Sequence, residues 1–548
     1  MALRSRAGSV VATLLFPISA IAQSSDLSAR IDRIFAGFGP SSPGCAVGLA
    51  KDGKPLYTHG YGSANLEYGV PLTDSTVLES GSVAKQFTAS AIMALVADGK
   101  IALSDDIKKY LPEVPDFGGQ KITIQNLLTH TSGLRDQWGL LGIEGRGPGT
   151  QVHTLMTTLD LVAHQKMLNF SPGSAYLYSN TGYALAALIV ERVSGKSLDA
   201  FMQERYFKPL AMTHTQWRDD YTKVVRNRAT AYSGSEASGF HQDMPFTDMV
   251  GNGGLLSTVG DLLKWNENLD RPKVGGQAYV DAMQTQMRLT NGRTITYALG
   301  LSIYPYDGVR EVAHDGSTAG YRTYLVRFPE QRVSIAVWCN NASASPAALG
   351  HQVADLILVK PSQKSAPAAA MVTVPGSMLQ QWAGTYRNTF NDALVTFTPA
   401  DGGLRSVNAS GQRGGVYTPL GGTTFRGSTG VVTFASTGGK RGFALAREDG
   451  DTAHYEEVRL PPSPVRLGDY VGTYASDELD VLLTIVQRDG KLFLHRRPAD
   501  EFEMRPGYED DFRTSLGFFR FSRDARGMVN GFSIYADRVV DVRFRKTQ

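Results

Sequence analysis

Cysteine is almost absent from this chain: Cys45 and Cys339 are all that its 548 residues contain. A supply so small excludes a disulfide-stapled scaffold, and neither residue has His or acidic neighbours at metal-ligand spacing, so no metal site is read. Each lies in a strand-like run, Cys45-Ala46-Val47-Gly48-Leu49 and Val333 to Cys339. A free buried thiol behaves as a small hydrophobe, and that reading is favoured over the cross-link an oxidising compartment would permit. Excess charge is missing too. The formal net charge is only +3, which gives no electrostatic case for nucleic acid or for anionic membrane surfaces. No apolar run reaches the roughly 20 residues needed to span a bilayer.

What the N-terminus does have is an address. Arg4 and Arg6 precede an apolar run from Val10 to Ile21, which ends in Ala20-Ile21-Ala22 before the polar Gln23-Ser24-Ser25. A basic start, a short apolar centre and an Ala-x-Ala end describe a secretory signal peptide over residues 1–22. The mature protein is then expected in the periplasm or outside the cell, with no stable membrane insertion. An uncleaved anchor is the alternative.

The length exceeds what one hydrophobic core normally serves, so two or three domains are expected. Residues 26–358 read as one mixed α/β unit. A helix over Leu27 to Phe38 leads into strands Ala46–Lys51 and Pro55–Gly62, with Asp52-Gly53 between them as a hairpin signal. Helical patterns follow, including Val83–Asp98 and Thr181–Ser194. Strands return at Glu311–His314, Tyr321–Phe328 and Val333–Trp338. Strands at both ends with helices between imply an antiparallel sheet closed by the two ends of the domain and packed against helices.

Residues 359–377, with Pro361, Pro367 and Pro375 and a run of Ala, read as a linker. Two Gly-rich segments of short alternating strands follow, 378–460 and 465–548, separated by Pro461-Pro462-Ser463-Pro464. Each opens on a related phrase, Trp382-Ala383-Gly384-Thr385-Tyr386 and Tyr470-Val471-Gly472-Thr473-Tyr474, 88 residues apart. The pattern predicts a duplicated module, two small antiparallel β-barrels.

Three phrases carry chemistry. In Glu79-Ser80-Gly81-Ser82-Val83-Ala84-Lys85, residues 82 and 85 share one helix face. The Lys85 amine can therefore take the proton of Ser82, a weak nucleophile without a base. The helix N-terminus adds backbone N–H groups for an oxyanion. In Tyr178-Ser179-Asn180, Tyr178 can relay a proton and Asn180 can hold a substrate amide, although Asn180 also suits the start of a helix. In His314-Asp315-Gly316, Gly316 lets substrate approach a strand edge, His314 shapes that edge, and the Ser317 N–H pairs with that of Ser82 as an oxyanion hole.

In this order the phrases resemble the penicillin-recognising serine hydrolases, in particular their class C β-lactamase-like branch. Leu127-Leu128-Thr129-His130-Thr131-Ser132-Gly133-Leu134 and Gly253-Gly254-Leu255-Leu256-Ser257-Thr258 fit the same branch. The resemblance covers about residues 30–355. It implies a mixed α/β β-lactamase/transpeptidase-like fold, an acyl-enzyme on Ser82, no cofactor or metal, and β-lactams as inhibitors. Followed by two barrels, the layout is similar to D-stereospecific aminopeptidases, in which a loop of the last barrel enters the site with an acidic residue that selects a free amine. The comparable stretch is expected at Gly507-Tyr508-Glu509-Asp510-Asp511, with Asp510 as substrate ligand. His314 stands where related enzymes use Lys, which favours aminopeptidase, amidase or esterase action over substrates with a free carboxylate.

The expectation is therefore a serine peptidase acting on small peptides, D-aminopeptidase-like. A carboxylesterase and a DD-carboxypeptidase or β-lactamase are the alternatives within the class, and a non-hydrolysing penicillin-binding sensor or scaffold is the alternative outside it. A homodimer is left open.

Overall fold

A computed structural model describes residues 18–361, 372, 374–408, 411–447, 450–459, 465–496 and 499–547. The basic start and most of the apolar run of the expected signal peptide lie outside the described residues. So do most of the expected linker and the Pro461–Pro464 break.

The first unit is organised around a six-stranded antiparallel sheet. Helix α1 (Ile18–Phe35) precedes β1 (Cys45–Lys51) and β2 (Lys54–Tyr61). Asp52 and Gly53 turn the hairpin with φ of 53° and 74°, the left-handed values a two-residue turn of this hand needs. Helices α2 (Ala84–Ala97), α3 (Gln137–Glu144), α4 (Leu155–His164), α5 (Asn180–Ser194) and α6 (Val259–Asp270) fill the middle of the chain. Then come β3 (Ser302–Tyr306), β4 (Val309–Thr318), β5 (Tyr321–Phe328) and β6 (Val333–Cys339), and helix α7 (Pro346–Asp355). The sheet order is β3-β4-β5-β6-β1-β2, so the two ends of the unit meet at β1 and β6.

Period-2 alternation divides the core. Cys45, Val47 and Leu49 of β1 and Val333, Ile335 and Val337 of β6 pack with Ile31 and Phe35 of α1 and Val353 of α7. Ala46, Ala336 and Trp338, on the other face, pack against the helical region with Phe87, Ile189 and Trp265. Helix α2 is buried from Ala84 to Leu95, which its low proportion of polar residues permits. Phe87 stacks on Trp265 at 4.1 Å between centroids, and the Trp265 indole donates to Gln86 Oε1 at 2.8 Å, so the helix is pinned by both packing and a hydrogen bond.

Two readings from sequence are corrected. Cys45 and Cys339 are directly opposed in the β1–β6 register and are disulfide-bonded rather than free. Strand β4 does not end at His314 but runs on to Thr318, where Ala319 (φ 44°) and Gly320 turn the chain into β5. Alternation continues to that point, with His314 and Gly316 buried and Asp315 and Ser317 exposed, although Asp315-Gly316-Ser317 are residue types that favour turns.

Two closed eight-stranded antiparallel barrels follow, built from strands between Gly384 and Glu457 and between Gly472 and Lys546. The repeated phrases do the same work in each. Tyr386 donates to the Trp382 carbonyl at 3.0 Å and Tyr474 to the Tyr470 carbonyl at 2.7 Å, closing the first strand back on the turn before it. The second barrel shares its core with the first unit: Leu140, Leu141 and Ile143 of α3 and Leu161 of α4 pack with Tyr470, Leu483 and Val539. A buried Arg135–Glu478 pair at 2.5 Å crosses the same seam. Arg135 further donates to the carbonyls of Val540 (3.0 Å) and Asp541 (2.8 Å).

Candidate active site

Ser82 sits in the 3-10 turn Gly81–Val83 that opens α2, and the helix carries Lys85 one turn on, wholly buried. The Lys85 Nζ lies 3.0 Å from Ser82 Oγ, 2.8 Å from Asn180 Oδ1 and 2.8 Å from the Asn252 carbonyl. The last two are acceptors only. A neutral amine would use both of its N–H bonds on them and turn its lone pair toward the Ser82 hydroxyl. Burial holds the Lys85 amine well below its usual range; the cation of Arg538 adds to this, while Asp136 and Asp315 oppose it.

Asn180 opens α5. Its amide orientation follows from Asp136, whose Oδ2 accepts from the Asn180 backbone N–H at 2.6 Å and from Nδ2 at 3.0 Å, leaving Oδ1 for Lys85. Asn180 is thus a spacer between Lys85 and Asp136 as well as a lining residue. Asp136 is an addition to the residues read from sequence. It caps α3 by accepting from the Trp138 N–H at 3.0 Å, and an Asp two residues beyond Ser132-Gly133-Leu134 and just ahead of an apolar stretch is the signal that could have found it.

Tyr178 has a buried hydroxyl without a full hydrogen bond among the described residues. Burial pushes this phenol far up; Ser82 and Arg538 pull it partly back. Its ring lies between several groups: Lys85 Nζ is 4.9 Å from the centroid, the Arg538 guanidinium 4.7 Å, and the His130 ring 4.1 Å. His130 accepts from the Ser179 N–H through Nδ1 (3.1 Å), which sets the proton on Nε2, and burial holds it neutral.

His314 is buried and fully used as a neutral ring. Its Nδ1–H donates to the Asp315 carbonyl at 2.6 Å, and Nε2 accepts from the Tyr297 hydroxyl at 2.8 Å. Burial, with Lys85 nearby, brings its pKa down to about 4, against the opposing pull of Asp315. Gly316 and Gly81 let β4 and the nucleophile turn touch. A Cβ on Gly316 would lie 2.1 Å from the Ser80 carbonyl oxygen and 3.0 Å from Ser82 N, and one on Gly81 2.5 Å from Ser317 N. The backbone nitrogens of Ser82 and Ser317 are thereby brought close together where both residues border one cleft, as a shared oxyanion site would require. Thr323 of β5 locks that approach by donating to the Ser80 carbonyl at 2.7 Å.

A cleft of about 720 Å³ opens over these groups, bordered by Ser82, Tyr178, Asn180, Ser317, Asp243 and Arg538 among others. Asp510 is not among them. It accepts from Tyr470 (2.8 Å) and Arg523 (2.8 Å) within its own barrel, and although burial raises it, those donors hold its carboxyl low. Among the described residues, the barrel residue that borders the cleft is Arg538, in the turn between strands Val529–Ala536 and Val539–Lys546. The sequence there shows an Asp-Arg hairpin turn, but nothing local says which way it points.

Comparison with known proteins places this geometry. The family model described as Beta-lactamase matches residues 31–358. A D-aminopeptidase of Cereibacter sphaeroides is 27% identical over 461 residues, 82% of each chain. A D-aminopeptidase of Brucella anthropi is 25% identical over 533 residues, 92% of this chain and 96% of that one. Among solved structures, the octameric penicillin-binding protein homologue from Pyrococcus abyssi superposes with a TM-score of 0.54 at 22% identity, covering 87% of this chain and 99% of its own. A D-stereospecific amidohydrolase from Streptomyces gives 0.50 at 23% identity, covering 59% of this chain and 97% of its own.

Proposed function

Because this chain belongs to the Beta-lactamase family, we propose that it is a serine hydrolase that forms an acyl-enzyme on Ser82 and releases N-terminal D-amino acids from small peptide amides. The observation that carries this reading is the contact set of Lys85, in which two acceptors engage the amine and leave one position for the Ser82 hydroxyl. Lys85 takes the Ser82 proton as Oγ attacks the substrate carbonyl. The Ser82 and Ser317 amides hold the oxyanion. As the tetrahedral adduct collapses, the proton passes from Lys85 through the Tyr178 hydroxyl to the leaving amine. Water then attacks the ester, its proton passing through Tyr178 to Lys85, and Lys85 returns that proton to Ser82 Oγ as the acid departs.

The D-aminopeptidase reading is supported by relatives that span both the hydrolase unit and the barrels. With Asp510 turned away, Asp315 and Asp243, both bordering the cleft, are free to meet a substrate ammonium group, whereas Glu79, which borders it too, is taken up by Arg218 and Arg228. Export to the periplasm or beyond is supported by the Ala20-Ile21-Ala22 ending and by the Cys45–Cys339 disulfide, which an oxidising compartment sustains.

The test is hydrolysis of D-Ala and L-Ala p-nitroanilides beside a short-chain p-nitrophenyl ester. Cleavage of the D-anilide is expected, falling about 10³-fold or more in Ser82→Ala with folding intact. Ester cleavage alone would retain the Ser82 chemistry and move the activity to a carboxylesterase. Stoichiometric labelling by penicillin without turnover of any acyl substrate would instead make the chain a sensor.

A further inference from the structure

The strand side of the cleft offers an anion no fixed charge. Both ring nitrogens of His314 are engaged as a neutral imidazole, so the position at which related hydrolases carry Lys is without a cation here. Among the described residues that border the cleft, Arg538 is the one Lys or Arg. It comes from the other side, from the last hairpin of the second barrel.

That hairpin is fixed in place. The Arg538 carbonyl accepts from Asn169 Nδ2 at 3.0 Å, and Asn169 Oδ1 accepts from the Val540 N–H at 2.9 Å. The buried guanidinium of Arg135 donates to the carbonyls of Val540 and Asp541 just beyond. On α3, a Cβ at Gly139 would fall 2.5 Å from Val539 Cγ2, so the helix can approach the hairpin only with glycine there.

The Arg538 guanidinium itself is left with spare capacity. Its ion contacts are long, 4.0 Å to Asp136 Oδ2 and 3.4 Å to Asp537 Oδ2. The Asp136 oxygen already accepts two shorter bonds from Asn180. Five N–H donors in a planar fork match a carboxylate better than any other small anion group of a peptide. The fork lies over the ring of Tyr178 at 4.7 Å. Tyr178 is the group that hands a proton to the leaving amine, so an anion at Arg538 belongs to the leaving half of the substrate.

We propose that Arg538 is the specificity residue of a leaving-group subsite and binds the free α-carboxylate of the residue released, so that the scissile bond is the last peptide bond of the substrate. This rests on the reading of Tyr178 given above. It replaces the expectation of an acidic amine selector from the barrel with a cation of opposite preference, and it makes dipeptides the substrates that engage both ends of the cleft.

The experiment is calorimetric titration of the full mature chain carrying Ser82→Ala, which binds without turning over, with D-alanylglycine and with its C-terminal amide. The leaving glycine brings no stereochemical requirement, and both ligands keep the same ammonium group. The acid is expected to bind about ten-fold tighter than the amide. The ratio should fall to within about two-fold when Arg538→Gln is added, and recover in part with Arg538→Lys. Because the readout is a ratio of two ligands on one protein, partial unfolding of a variant does not imitate the result. Equal affinities in the Arg538 protein, absence of measurable binding of the acid, or a ratio unmoved by Arg538→Gln would each overturn the proposal. Turnover plays no part, so failure of the wild type to cleave the D-anilide would remove the aminopeptidase reading while the ratio still decides the role of Arg538.

Discussion

The two barrels share a strand count, an opening phrase and a tyrosine that ties back to the residue four before it, yet they are joined to the rest of the molecule in different ways. The second barrel merges its core with α3 and α4 and seals the seam with the buried Arg135–Glu478 pair. The first meets the hydrolase unit through a part-exposed Arg293–Asp451 pair at 3.0 Å and a Phe170–Phe390 contact at 6.2 Å between centroids. It meets its twin through Asp392, which accepts from Tyr508 of the second barrel at 2.6 Å. Two barrels of one architecture thus differ in place, one bordering the cleft and the other supporting it. What distinguishes them is the loops and the outer face, as function generally resides in sites grafted on a fold.

The comparison breaks most visibly at its buried ion pair. Glu478→Ala leaves the Arg135 guanidinium without its partner in a seam where it is wholly buried. The expected cost is about 3–5 kcal/mol, seen as a large fall in unfolding midpoint, together with a loss of D-anilide turnover as the Arg538 hairpin loosens. Full retention of both would mean that the second barrel is no more welded to the site than the first.

A smaller effect sharpens the contact between barrels. Burial, then the neighbouring Asp392 carboxylate, pushes the Asp511 pKa up to about 8, with Arg513 opposing. The folded protein holds this proton where the unfolded chain releases it near the ordinary value of 3.8. The contribution to stability is therefore full below about pH 4 and is lost as pH rises toward 8. Asp511→Asn should leave stability near pH 4 little changed and raise it at pH 8 by about 2 kcal/mol or more, which denaturant melts at the two pH values would read. The smallest effect belongs to the first barrel's own tie: Asp451→Ala should move stability by no more than about 0.5 kcal/mol and leave turnover alone.

Local spacing made the centre of the site legible. A Ser and a Lys three apart at a helix start must share a face, and Tyr178, Asn180 and Gly316 were readable from phrases of a few residues each. The central sheet was legible for a similar reason, since β1, β5 and β6 are short, largely apolar runs, buried almost throughout. Helix α2 was placed to within a residue or so at each end. Legibility failed where position depends on partners distant in sequence. Asp136 matters because α3 aims it at Asn180, and Arg538 because a whole barrel docks on α3 and α4. The pairing of Cys45 with Cys339 depends on strand register across 294 residues of chain. Asp510 stands in a turn with two other acids, Glu509 and Asp511, but its charge is taken up by Arg523.

That disulfide also gives the molecule a topology. Residues 45 to 339 form a covalent ring, and Ser82, Lys85, Tyr178, Asn180 and His314 all lie on it, while both barrels hang from it as one tail. A protease that cuts once inside the ring leaves a single covalent molecule. A cut between the ring and the barrels leaves Arg538 held to the cleft by non-covalent contacts alone, so dilution can remove the barrel's contribution without touching the nucleophile.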